Sequence, residues 1–448
     1  MLALSPPTPA PIPPLGAHEL LIFMLQVGLL LLLATVLGRL AVRLGMPAIV
    51  GELSVGVVLG PSLLAHVAPA VSHWLIPADP AQLHLLDAVA QIGVLLLVGI
   101  TGIQLDLGMV RRRGATAAKV SVAGLVIPLA LGVAMGFLLP REPLAGKTDP
   151  TVFALFVGVA ICVSAIPVIA KTLQDMHLLH RDVGQLCLSA GMVDDAFGWF
   201  MLSIVSAMAT TGVRTGQILL SLLSLALLIP LALWIGRPLV RLALRAATGP
   251  EKPPGLVIAV VVVLVLLFAA GTHALQFEAV LGAFLCGILI GRSGYVRPEW
   301  MAPLHSVVLC VFAPLFFATA GLRMDLTLLG DPTVLAAAIV VLAVAVIGKF
   351  AGAYIGARLS HLNGWQALAL GAGMNARGVI EVIVAMVGLR LGVITTAMYT
   401  IVILVAIVTS LMAPPVLRFA MARVRPTSEE ATRGAHQDRL VTLSTSRP

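Results

Sequence analysis

The sequence predicts an all-α polytopic membrane protein with about thirteen transmembrane helices, and three observations carry that expectation. Hydrophobic residues make up 59% of the chain and charged residues only 11%. Apolar runs long enough to cross ~30 Å of hydrocarbon recur along its whole length. Lys and Arg are unevenly divided between the connecting segments, as they are in multi-spanning chains.

Taken in order, the apolar runs centre near Leu30, Val57, Leu95, Leu125, Gly158, Met201, Leu225, Val263, Phe284, Ala313, Val341, Val379 and Val405. Residues 1–17 are Pro-rich with no basic stretch, so they read as an exposed lead-in and not a cleavable signal. Residues 18–421 form the membrane domain. Residues 422–448 form a short polar tail, too short for a folded nucleotide-binding regulatory domain. With the N-terminus outside and the C-terminus cytoplasmic, 21 of the 28 Lys and Arg residues fall on the cytoplasmic side and five outside. The remaining two, Lys349 and Arg377, lie within spans. The net charge of +8 therefore reports orientation in the bilayer and calls for no nucleic-acid partner. Cys162, Cys187, Cys286 and Cys310 lie in apolar segments without metal-ligand spacing and read as buried free thiols.

Charge inside the spans is confined to a few positions. Asp194 and Asp195 are adjacent in SAGMVDDAFGWFMLSIVSAMA. Lys349 stands alone between Asp331 and Arg358, too far from either end to snorkel, so it calls for an acidic partner across the bundle, and Asp194 and Asp195 are the available acids. Arg377 and Glu381, four positions apart, fit an ion pair one helical turn long. Adjacent helix positions diverge by about 100°, so the two aspartates cannot serve one partner. One can neutralise Lys349 while the other faces a cavity and takes a small cation or a proton. Competition between cation and proton for one carboxylate is a sufficient basis for exchange. The plainer alternative is two acids that only hold helices together.

Two spans carry helix breakers. VGVAICVSAIPVIAKTL places Ser164 three residues before Pro167, and LGAGMNARGVIEVIVA surrounds Asn375 with Gly371, Gly373 and Gly378. These spans are the fifth and twelfth, an odd number apart, so they cross in opposite directions. Interrupted helices in the two halves of an inverted repeat point to a site at the midplane.

The order of several motifs resembles the monovalent cation/proton antiporters of the bacterial sodium/proton exchanger and Kef-like branch. They are MPAIVGELSVGVVLGPS at 46–62, IGVLLLVGITGIQLD at 92–106, SAIPVIAKTLQDMHLL at 164–179, MVDDAFGW at 192–199, EAVLGAFLCGILIGRS at 278–293, APLFFATAGLRMDL at 313–326, GKFAGAYIGARL at 348–359 and GMNARGVIEVIVA at 373–385. The resemblance implies the inverted-repeat antiporter fold with two broken crossing helices and a six-helix core that moves against a dimerisation domain. It also implies a homodimer without cofactor, catalytic residues or a metal other than the transported ion. By position, Asp195 resembles the acid that alternately binds cation and proton, Asp194 the partner of Lys349, and Ser164 an oxygen ligand in the unwound helix. Pro167, Asn375, Arg377 and Glu381 would support the crossing. An Asp-Asp pair with a membrane lysine resembles the electrogenic members, implying two protons per cation and Na+ as the first candidate. The stretch from Ser164 to Asp195, with Trp199, resembles potassium-handling relatives, which keeps K+ and Li+ as alternatives.

A sodium-coupled organic anion symporter of similar fold would not need Lys349 opposite an aspartate pair. An intramembrane aspartyl protease needs carboxylates facing each other from separate helices, and no GxGD motif is present. The His177 and His180 pair reads as a solvated loop. Glu52 is able to line a passage or to pair locally.

Overall fold

The computed structural model describes residues 16–76, 80–105, 107–211, 230–249, 253–275, 277–427 and Glu430. Its principal helices are α1 (Ala17–Arg43), α2 (Ala48–Leu59), α3 (Pro80–Ile103), α4 (Leu107–Leu138), α5 (Pro150–Cys162), α6 (Ile166–Asp175), α7 (Asp182–Thr211) and α8 (Arg237–Ala247). They continue with α9 (Pro254–Ala274), α10 (Ala279–Gly291), α11 (Pro298–Val307), α12 (Ala313–Gly321), α13 (Pro332–Leu359), α14 (Gly364–Met374), α15 (Val379–Arg390) and α16 (Thr396–Met421). A π-helical turn, Val308–Phe312, joins α11 to α12.

Polar residues at the helix mouths set the starts. Asp149 caps α5 through the Thr151 amide at 2.7 Å, with Pro150 at the first helical position. Asn363 and Gln366 form a reciprocal capping box on α14, at 2.8 and 3.1 Å.

The helices pack into two groups. In one, α4 lies against α5, α7 and α13, while α14 lies against α7, α13 and α16. In the other, α1, α2, α3, α9, α10 and α12 pack among themselves. Small residues allow the close approaches within each group. A Cβ on Gly352 would come within 2.5 Å of the Ala123 carbonyl of α4, and one on Gly56 within 2.1 Å of the Gly321 backbone of α12. The two halves of the first group are also tied at one end, where Ala145 and Ile394 form an isolated antiparallel bridge and the Thr395 amide donates to the Leu144 carbonyl at 3.0 Å.

Among the described residues nine helices are long and apolar enough to cross a membrane, ten if α14 and α15 count as one span bent by 42°. The expected count of about thirteen is therefore not reached by single long helices. The interruption at Val163 to Ala165 leaves α5 with 13 residues, and α10 likewise has 13. The expected span near Leu225 lies outside the described residues, as does most of the lead-in at 1–17 and of the tail at 422–448. Each of the other expected centres falls within a helix or its π-helical continuation.

Candidate ion-binding site

The site grows out of the two interruptions. α5 ends at Cys162 and α6 begins at Ile166, with Pro167 in its first turn, where the missing amide costs no hydrogen bond. α14 ends at Met374 and α15 begins at Val379. The two breaks touch: the Ala165 amide donates to the Ala376 carbonyl at 3.2 Å, and the Ser164 hydroxyl lies 2.7 Å from the Met374 carbonyl. Unwinding frees carbonyls at the end of α5 and amides at the start of α6, so charges of opposite sign are favoured on the two sides of the gap.

Lys349 of α13 occupies the carbonyl side. Its ammonium donates to the Cys162 carbonyl at 2.6 Å, to the Gly124 carbonyl of α4 at 2.9 Å, and to Asp194 Oδ2 in a close ion pair. These bonds use all three of its donors. Asp194 also accepts from Ser164 at 2.9 Å and Ser121 at 3.2 Å, and neither member of the pair is exposed. Asp194 is thus a fully satisfied carboxylate. Ser164 turns its hydroxyl toward Asp194 and Met374, not toward Asp195.

Asp195 points the other way, as consecutive helix positions require. It is 1% exposed and its Oδ1 lies 3.5 Å from the Ile166 amide at the positive end of α6. Its Oδ2 has no hydrogen-bond partner among the described residues, and the same is true of the Asn375 side-chain oxygen in the other break. Buried oxygens without donors are costly unless something positively charged reaches them. A cavity of about 300 Å3 approaches this point, lined by Ile166, Met192, Lys171, Gln174, Gln104 and His305 among others. On the opposite side, about 490 Å3 opens beside Asp87, Arg323, Met386 and Arg390.

Arg377 and Glu381 are paired at 3.4 Å, but Arg377 lies in the break before α15 starts, so the pair closes a helix end and not an internal turn. Arg377 also donates to the Ala345 carbonyl of α13 at 2.8 Å, and Ser410 of α16 donates to its carbonyl. It fastens three helices around the gap. Glu52 lies elsewhere, in a groove of about 520 Å3 with Arg39 and Arg43. The expectation of four buried thiols fails at Cys310, which is exposed on the π-helical turn together with Leu309, Val311 and the preceding Val307. Ser121 and the Gly124 and Cys162 carbonyls are partners that sequence reasoning missed. Ser121 left a faint signal as a hydroxyl in the apolar stretch of α4, and Pro128, which has no N–H to bond the carbonyl four residues back, left one for Gly124.

A buried carboxylate with an unpartnered oxygen beside two touching helix breaks is an arrangement suited to holding a small cation. Residues 28–423 match the family model described as sodium/hydrogen exchanger, transmembrane. The chain is 30% identical over 406 residues to the Na(+)/H(+) antiporter NhaS4 of a Synechocystis species, covering 90% of this chain and 98% of the relative. It is 28% identical over 424 residues to cation/H(+) antiporter 17 of Arabidopsis thaliana, covering 95% of this chain but only 51% of that protein. The chain thus spans about half the length of this plant relative. In structure it is similar to the sodium proton antiporter MjNhaP1 of Methanocaldococcus jannaschii, with a TM-score of 0.68 at 16% identity over 90% of this chain and 99% of that one. The chain belongs to the sodium/hydrogen exchanger family, within the monovalent cation/proton antiporter superfamily. It is a multi-pass membrane transporter that exchanges cations for protons by alternating access.

Proposed function

We propose that the protein exchanges Na+ for protons electrogenically, with Asp195 as the group that binds cation and proton in turn. The observation that carries this reading is the contrast between the two aspartates. Asp194 has its charge and its lone pairs met by Lys349, Ser164 and Ser121, while Asp195 keeps a buried oxygen free beside the gap. Proton and cation are then alternative ways to satisfy one carboxylate, and exchange follows from their competition. The Asn375 oxygen and the freed carbonyls of the breaks are suitable further ligands for a hard monovalent ion.

In this reading the membrane domain, residues 18–421, has thirteen spans, two of them broken crossing helices, and the protein is a homodimer. The group of helices that carries the site moves against the other group. The N-terminus is outside and the C-terminus cytoplasmic, which puts the Lys171 and His305 cavity on the cytoplasmic side. The NhaS4 relative is named for Na+, which supports that ion. The likeness of the stretch from Ser164 to Trp199 to potassium-handling relatives favours K+ as the second reading. Proton flux in proteoliposomes against Na+, K+, Li+ and Rb+, with the membrane potential clamped and then free, tests both points. Electrogenic Na+ exchange predicts the fastest flux with Na+ and a rate that rises when the potential is clamped. Fastest flux with K+, or a rate indifferent to clamping, overturns the corresponding part.

A further inference from the structure

Above Asp195, on the side away from the 300 Å3 cavity, the two groups of helices are joined by a seam that the exchange chemistry does not use. Glu278 is its centre. It stands at the N-cap of α10, yet its side chain makes no capping bond to its own helix. The carboxylate instead leaves its group entirely. Oε1 accepts from the Ser206 hydroxyl of α7 at 2.6 Å and Oε2 from the Arg390 guanidinium of α15 at 2.7 Å, with the Glu278 side chain 5% exposed. One carboxylate of the second group thereby holds α7, of the group that carries the ion site, and α15, which packs on α16, α7 and α5 of that group.

The register of α7 gives these contacts a direction. Ser206 lies eleven positions beyond Asp195, about three turns, so the two share one helix face with an offset of about 20°. Between them on the same side lie Trp199 and Leu202, both buried, and the Trp199 ring packs on Phe284 of α10 with centroids 6.4 Å apart. Toward α6 the face opens into the cavity lined by Met192 and Ile166. In the opposite direction it meets the aromatic pair first, then Glu278, and only then the cavity lined by Val280, Met386 and Arg390. The Tyr399 hydroxyl of α16, which donates to the Ala320 carbonyl of α12 at 2.6 Å, continues the seam between the groups.

We propose that Glu278 is the latch of a gate on the Arg390 side: its bonds to Ser206 and Arg390 hold α7 and α15 against α10, and they must break for Asp195 to reach that side. The inference rests on Asp195 being the carrier. A static staple would give the same contacts, but the two differ in what happens when the bonds are made permanent or removed.

The test uses the full-length protein in proteoliposomes, with Cys162, Cys187, Cys286 and Cys310 replaced and Ser206→Cys with Glu278→Cys introduced. A short bifunctional methanethiosulfonate joins the pair. The latch predicts that joining lowers cation/proton exchange at least tenfold and that a reductant restores it. Exchange unchanged by joining overturns it. In a second variant, Leu202→Cys alone serves as a probe for a membrane-impermeant maleimide added from the Arg390 side. Adding Glu278→Ala should raise its labelling rate several-fold, and an unchanged rate overturns the latch without any need for cross-linking. Asp195→Asn in the same background separates the two ideas. If exchange persists there, the carrier reading fails, whereas failure of joining to block exchange with Asp195 essential removes only the latch.

Discussion

Removing Lys349 and Asp194 together should cost far less than the sum of the two single losses. The pair is wholly buried, and its surroundings are built for it: two carbonyls complete the ammonium and two hydroxyls complete the carboxylate. Lys349→Ala leaves a buried carboxylate with only Ser121 and Ser164 as donors. Asp194→Asn leaves an ammonium whose charge is met only by main-chain carbonyls. Breaking one side of a buried ion pair costs about 3–5 kcal/mol, most of it the penalty of the stranded charge. The double variant strands no charge, so its loss should stay near that of a single variant, about 3–5 kcal/mol, and not the 6–10 kcal/mol of a sum. Reversible unfolding of the purified protein in mixed micelles, followed for the wild type and the three variants, gives the coupling energy directly. A double variant that loses the sum of the single losses would refute the reasoning, because it would mean that the two groups do not neutralise each other.

Two further outcomes follow from the packing and from the tail. Gly56→Ala sets a methyl group 2.1 Å from the Gly321 backbone and should lower stability by about 1–3 kcal/mol in thermal unfolding, whereas Gly28→Ala, with nothing within 4 Å, should cost nothing. Burial raises the Glu430 carboxyl, but the Asp182 and Thr427 amides and Arg181 outweigh it and hold the group below the usual carboxylate range. A lowered folded value means that the contribution is present at neutral pH and lost as the pH falls through that value. The stability difference between wild type and Glu430→Gln should accordingly shrink on acidification below about pH 4.5 in a pH series of melting temperatures, and a difference independent of pH would contradict it.

How much of this the sequence carried depends on what each feature costs. A lone lysine between Asp331 and Arg358 and two adjacent aspartates are expensive in an apolar chain, so their mutual need was legible, and the structure brings Lys349 to Asp194. Pro167 and the glycines around Asn375 were legible as breakers, and Pro167 indeed lies in the first turn of α6. Where a span is interrupted is harder to read, because hydropathy counts apolar residues and is blind to a helix that stops at Cys162 and restarts at Ile166. The Gly124 carbonyl is freed by Pro128, four residues on and without an N–H, whereas the Cys162 carbonyl is freed by the end of α5, which hydropathy does not mark. Glu278 begins one of the motifs, but the sequence alone gives it no partner. Only the packing shows that it is buried and bonded to another group of helices.

The central claim is that Asp195 carries the ion and the proton while Asp194 does not. Proton flux driven by a cation gradient in proteoliposomes, compared between wild type and Asp195→Asn, tests it most directly. The amide keeps the size of the side chain but can neither ionise nor exchange a proton for a cation, so coupled flux should fall to the level of empty vesicles while the protein remains folded. Coupled exchange at the wild-type rate in Asp195→Asn would contradict the account.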